Sequence, residues 1–198
     1  MSEPARETAD RYLSSIAGTM DLVRRDCLDG IVGAADRIAT SLRAGGKILA
    51  CGNGGSAADA QHFATEFVST LTLDHVRPSI PAIALTTDTS LLTAVANDFG
   101  FEHVFERQIE ALGRRGDVLV AISTSGNSAN VVLAAERART TGVAVVALTG
   151  ASGGALAAVA DVAIRVPSAE TPHIQECHLA IEQLIALLVE RELHPVGS

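Results

Sequence analysis

His62 and Glu66 are four residues apart in the stretch ILACGNGGSAADAQHFATEF, residues 48–67. At this spacing the two side chains share one helix face, which suits a shared metal ion or a shared proton. A surface ion pair or a packed core histidine has the same spacing, so the pair alone leaves those readings open. Its setting narrows them. An apolar run leads into the turn Gly52-Asn53-Gly54-Gly55-Ser56, and the helix that follows carries the small residues Ala57, Ala58, Ala60 and Ala64, which leave room for a substrate.

A second cluster, Ser123-Thr124-Ser125-Gly126-Asn127-Ser128, follows the run DVLVAI and precedes the helical segment ANVVLAAERAR. Hydroxyls and free amide N–H groups at a helix N-terminus make an anion site, because the dipole and the unpaired donors point the same way. A single serine there would be an ordinary N-cap; several hydroxyls after a buried strand favour a phosphate. The loop at residues 52–56 is neither the GxGxxG fingerprint nor a P-loop, which argues against a nicotinamide or nucleoside triphosphate and leaves a smaller phosphorylated ligand. A third segment, TPHIQECHLAIEQLIALLVERE, starts with a helix-initiating proline and is apolar at Ile174, Cys177, Ile181, Leu184, Ile185 and Leu188. Its polar members Gln175, His178, Glu182 and Gln183 therefore need partners. Exposure of one flank accounts for Glu176 and Glu190.

These clusters need a frame. KILAC, AIAL, DVLVAIS, VAVVAL and DVAIRV are strand candidates separated by helical segments. The pattern predicts an α/β fold: a doubly wound five-stranded parallel sheet with helices on both faces. Before it, residues 5–44 read as two helices stopped by Gly45-Gly46, an N-terminal helical hairpin in residues 1–46 ahead of an α/β core in residues 47–198, all one domain. In such sheets ligands sit at the carboxyl ends of the strands, where GNGGS, TTDTS, STSGNS, TGASGG and PSAETP fall. The 198 residues carry a formal charge of −8, which argues against a nucleic-acid surface. Three widely spaced cysteines fit a reducing cytosol, and no signal peptide or membrane-length apolar run is evident, so a cytoplasmic location is expected.

In order and spacing, CGNGGSAADAQHF, LTAVANDFGFEHVF, GDVLVAISTSGNSANV, VVALTG..GG and RVPS..TPHIQECH resemble the phosphoheptose isomerase (sedoheptulose 7-phosphate isomerase) family of the sugar-isomerase, or SIS, fold. The resemblance covers nearly the whole chain. It implies an aldose-ketose isomerase converting sedoheptulose 7-phosphate to D-glycero-D-manno-heptose 7-phosphate on the route to activated heptoses and lipopolysaccharide. It also implies a homotetramer, with the N-terminal helices used in assembly and active sites between subunits. By motif match, Ser56, Ser123, Thr124, Ser125 and Ser128 would hold the phosphate. Asn53, Gly54, Gly55, Asn97, Asp98 and Gln175 would line the sugar site, and Glu66 would be the base. One zinc ion per subunit is implied, held in the family by a His, a Glu, a Gln and a second His. The first three fall on His62, Glu66 and Gln175.

The fourth position holds Gln183, eight residues after Gln175. An amide oxygen ligates a metal weakly, and an amide does not exchange protons near neutral pH as imidazole does. Gln183, the fourth metal position and the expected second catalytic one, therefore implies impaired or absent turnover. His178 is no substitute, because five residues turn a helix by roughly 140°. A rival reading from another class is a non-catalytic SIS-fold tetramer that binds the bacterial replication initiator.

Overall fold

The computed structural model describes residues 4–74 and 76–195. Each apolar run becomes a strand: β1 Ile48–Cys51, β2 Ala82–Ala84, β3 Val118–Ser123, β4 Ala144–Gly150 and β5 Val162–Val166. They form one sheet in the order β2-β1-β3-β4-β5, and every neighbouring pair is parallel. β1 and β3 are buried at every position, as strands covered on both faces must be. β2 is a short edge strand preceded by Pro81, whose carbonyl accepts from the Ile48 amide at 3.0 Å.

The helices are α1 Ala5–Asp26, α2 Leu28–Arg43, α3 Gly55–Val68, α4 Thr89–Phe99, α5 Glu106–Leu112, α6 Ala129–Thr141, α7 Gly154–Val159 and α8 Thr171–Leu193. Alternate strand residues feed two separate cores. Ile48, Ala50, Val118, Val120, Ile122, Val146 and Leu148 face α2, α3 and α8, packing against Ile31, Ile38, Phe63, Phe67, Ile181 and Ile185. Leu49, Cys51, Leu119, Ala121, Val145 and Ala147 face α5, α6 and α7 through Ile109, Val131, Ala134 and Leu156. The expected doubly wound sheet and N-terminal helical hairpin are both present. The hairpin is no appendage: α2 lies in the same core as α8. Among the described residues no helix is long and apolar enough to cross a membrane.

The strand order decides where a ligand can bind. β1 and β3 are neighbours, yet the helices that follow them leave to opposite faces, α3 to the first core and α6 to the second. A crevice opens at such a switch point, outside the carboxyl ends of the strands. The loop at residues 52–56 leaves β1 there, and the loop at residues 124–128 leaves β3.

Candidate functional site

The β3–α6 loop is held by its own polar groups. Ser123 and Ser128 hydroxyls lie 3.0 Å apart, the Asn127 amide donates to Ser125 Oγ at 3.1 Å, and the Asn127 side chain donates to the Ser125 carbonyl at 3.1 Å. Asn127 Oδ1 in turn accepts from the Ala155 amide at 3.0 Å. Gly126 has φ +67°, and a Cβ there would overlap the Gly153 carbonyl, so only glycine lets the two loops approach so closely. Beside this contact is a cleft lined by Thr124, Ser125, Gly150, Ala151, Ser152, Ser168, Thr171 and Ile174. It presents five hydroxyls and no cationic side chain. The loop after β1 is tied to it: Asn53 and Asn130 exchange two amide hydrogen bonds, at 2.8 and 2.9 Å.

The second half of the site lies where α3 meets α8. Ser56, Ala60, Phe63 and Phe67 bury one face of α3, leaving Asp59, His62 and Glu66 on the adjoining stripe. His62 Nε2 is 3.0 Å from Glu66 Oε1. The Gln183 amide of α8 donates to Glu66 Oε1 at 3.1 Å and meets His62 Nε2 as well. Three heteroatoms thus form a tight triangle at the half-exposed imidazole. Higher up, the Gln175 amide lies against Gly55, where a Cβ would strike it.

The SIS domain family model matches residues 11–150. A phosphoheptose isomerase of Rhodospirillum rubrum is 57% identical over 168 residues, 85% of this chain and 88% of that protein. One from Akkermansia muciniphila is 53% identical over 188 residues, 94% of this chain and 93% of that one. The chain belongs to the phosphoheptose isomerase family of SIS-domain enzymes. The solved phosphoheptose isomerase GmhA from Neisseria gonorrhoeae superposes with a TM-score of 0.88 at 44% identity, covering 93% of this chain and 98% of that one. A phosphoheptose isomerase from Francisella tularensis gives 0.91 at 36% identity, covering 96% and 100%.

The placement of the family residues divides them into four groups. Ser56, Ser123, Thr124, Ser125, Ser128, Asn53, Gly54 and Gly55 lie on the two loops that meet at the switch point and at the starts of the helices that follow. His62, Glu66 and Gln183 gather at the α3–α8 seam. Gln175 is separated from them, because eight residues along a helix span about 12 Å and its amide is engaged at Gly55. Asn97 and Asp98 are exposed on the last turn of α4, hydrogen-bonded to each other at 2.8 Å. Among the described residues neither is hydrogen-bonded to the switch-point loops.

Asp59 and Asn130 carry no signal in the sequence, Glu182 is expected to need a partner, and Glu190 is expected on an exposed flank. Asn130 braces Asn53. Glu182 is 1% exposed, and among the described residues both its oxygens and Asp59 Oδ2 lack hydrogen-bond partners. Burial, with the Asp59 carboxyl nearby, pushes Glu182 up to about 9, and burial also raises Asp59. Glu190 is a correction: it is not on an exposed flank but buried, its carboxylate 2.7 Å from Arg77 Nε. Apolar spacing could not reveal this, because the partner is 113 residues away.

Proposed function

We propose that this family member converts sedoheptulose 7-phosphate to a heptose 7-phosphate in activated-heptose biosynthesis. The supporting observation is that α3 begins at the switch point, beside the hydroxyl-rich loop at residues 123–128, and carries further along a carboxylate held between His62 and Gln183. Ser56, Ser123, Thr124, Ser125 and Ser128 bind the phosphate through hydroxyls and backbone N–H groups at the N-termini of α3 and α6. With the phosphate fixed, the sugar's carbonyl end extends along the seam toward Glu66. Glu66 takes the proton from C1 of the ketose, giving an enediol. Return of a proton to C2, with the carbonyl moved to C1, completes the aldose.

The triangle also fits a metal. Donor atoms around a tetrahedral zinc at bonds of about 2.0–2.2 Å are separated by about 3.3 Å, close to the 3.0 and 3.1 Å that part Glu66 from His62 and from Gln183, whose amide would turn to present its oxygen. No three His, Cys, Asp or Glu side chains converge among the described residues, so a metal here depends on the Gln183 amide. His62, Glu66 and Gln183 would hold the zinc. When bound it would polarise the substrate carbonyl. Gln183 orients its neighbours but carries no transferable proton, so turnover is slowed rather than specificity changed. The exposed Leu13, Leu28 and Val32 on α1 and α2 support assembly through the N-terminal hairpin.

Solvent-proton exchange at C1 of sedoheptulose 7-phosphate tests the reading. Glu66→Gln keeps size and removes basicity, and exchange at the parent's rate in that variant would refute it.

A further inference from the structure

α3 and α8 run side by side in the same direction with a nearly constant offset. Gln175 meets Gly55 near their N-termini, and Gln183 meets His62 and Glu66 across 121 and 117 residues of sequence. At the far end a third link joins them. Arg77 Nη2 donates to the Glu66 carbonyl at 2.6 Å and Nη1 to the Phe67 carbonyl at 2.8 Å, with Pro78 O at 3.1 Å and Ser69 O at 3.4 Å. Its Nε donates to Glu190 of α8 at 2.7 Å. Both side chains are almost wholly buried, at 2% and 4% exposure.

The Glu66 and Phe67 carbonyls that Arg77 takes belong to the last turn of α3, which has no helical donors for them. A planar guanidinium fork suits this end, and its charge favours the C-terminus of a helix. Stability alone does not explain the choice, since burying two charges costs about as much as their attraction returns. Register does. Glu66 is held twice, by its carbonyl on Arg77 and by its carboxylate in the triangle with His62 and Gln183. Slippage of α3 along α8 by one residue, about 1.5 Å, would break the second contact.

We propose that Arg77, acting through Glu190, is a positioning residue that sets the axial register of α3 on α8 and thereby presents the Glu66 carboxylate to the substrate. The proposal rests on the reading of Glu66 as the base. Its prediction is a loss in kcat without a matching change in KM, because the phosphate cleft lies at the opposite end of the seam. A displacement of about 1 Å in a reacting group commonly costs on the order of a hundredfold in rate.

The test uses the full chain with two mild variants, Arg77→Lys and Glu190→Asp, each keeping charge while altering reach. Ile109→Val in the opposite core serves as a control for lost stability alone. Isomerisation kinetics with sedoheptulose 7-phosphate are measured beside the ring resonances of His62 and His178 by NMR. We expect at least a tenfold fall in kcat with KM within twofold, and a shifted His62 resonance with His178 unmoved, in both variants and not in the control. Parent-like kcat and His62 resonance in a folded variant that merely melts lower would overturn the proposal, as would an equal fall in kcat in Ile109→Val. If the parent shows no turnover, the isomerase reading fails by itself. The His62 resonance then decides the register claim, upheld by a shift and overturned by none.

Discussion

The hydroxyl cleft and the α3–α8 seam solve different problems with different chemistry. The hydroxyl loop after β3 is built from near neighbours: Ser123 with Ser128, Asn127 with Ser125, all within five residues. On the proposed function it holds a dianion without titrating, which neutral donors on a helix N-terminus do at any pH near neutrality. The seam is built from residues more than a hundred positions apart, and it concentrates Asp59, His62, Glu66, Glu182 and the Arg77–Glu190 pair. Binding can be encoded locally, whereas a proton-transfer group needs two helices in register.

The largest predicted effect lies on the seam. Gln183→His restores an exchangeable group beside Glu66, so turnover of sedoheptulose 7-phosphate should rise by about two to four orders of magnitude, the usual worth of a general acid or base. KM should change little, and zinc should bind more tightly, because imidazole suits it better than an amide. Side-by-side kinetics and chelator competition check this; unchanged values for both would place the chemistry elsewhere.

The same contrast explains what the sequence revealed. GNGGS and STSGNS were legible because each follows an apolar run and precedes a helical one, and the hydroxyls that matter lie within the loop itself. His62 and Glu66 were legible as a pair because helix geometry alone puts i and i+4 together. Glu190 was misread, since its apolar neighbours Leu188 and Val189 cannot announce a guanidinium arriving from the α3–β2 connection. Asn130 was passed over because it sits two residues inside a helix, and its role depends on Asn53 across the β1–β3 switch point. The separation of Gln175 from Gln183 follows from helix rise once the seam's register is known, which one chain's spacing does not supply.

Breaking the cleft should leave the seam intact. Gly126→Val forces a β-branched residue into φ +67° against the Gly153 carbonyl, and α7 must retreat. Left-handed strain and overpacking together should cost about 2–4 kcal/mol of stability. Calorimetry should show at least tenfold weaker binding of sedoheptulose 7-phosphate, while the His62 ring resonance keeps its position. Loss of both together would mean that the two halves are one cooperative unit.

The joint between the two loops should be worth less. Asn130→Ala strips Asn53 of both its amide hydrogen bonds, an expected loss of about 1–3 kcal/mol for a partly buried orphan. Because the pair acts as one unit, the double variant Asn53→Ala/Asn130→Ala should cost clearly less than the sum of the single losses in denaturant melts. Additive losses would show that each amide has other partners.

The last effect vanishes at neutral pH and appears only in acid, at the residue that ties seam to cleft. His178 lies on α8 between Gln175 and Gln183, and its Nε2–H donates to the Thr149 carbonyl at 3.2 Å, one residue before the cleft's Gly150. Its Nδ1 has no partner among the described residues, and burial lowers its pKa to about 4 against an ordinary 6.5. Between those values the unfolded chain holds a proton on this imidazole that the folded chain does not. Stability from this residue is therefore fully present above pH 6.5 and falls as the pH drops toward 4, by at most about 1.4 kcal/mol per pH unit. His178→Gln can keep a donor for the Thr149 carbonyl without a titrating ring, so its denaturant midpoint should decline less over that interval. Equal slopes in the two proteins would mean that the imidazole reaches water when charged, and that α8 is looser at this joint than its burial suggests.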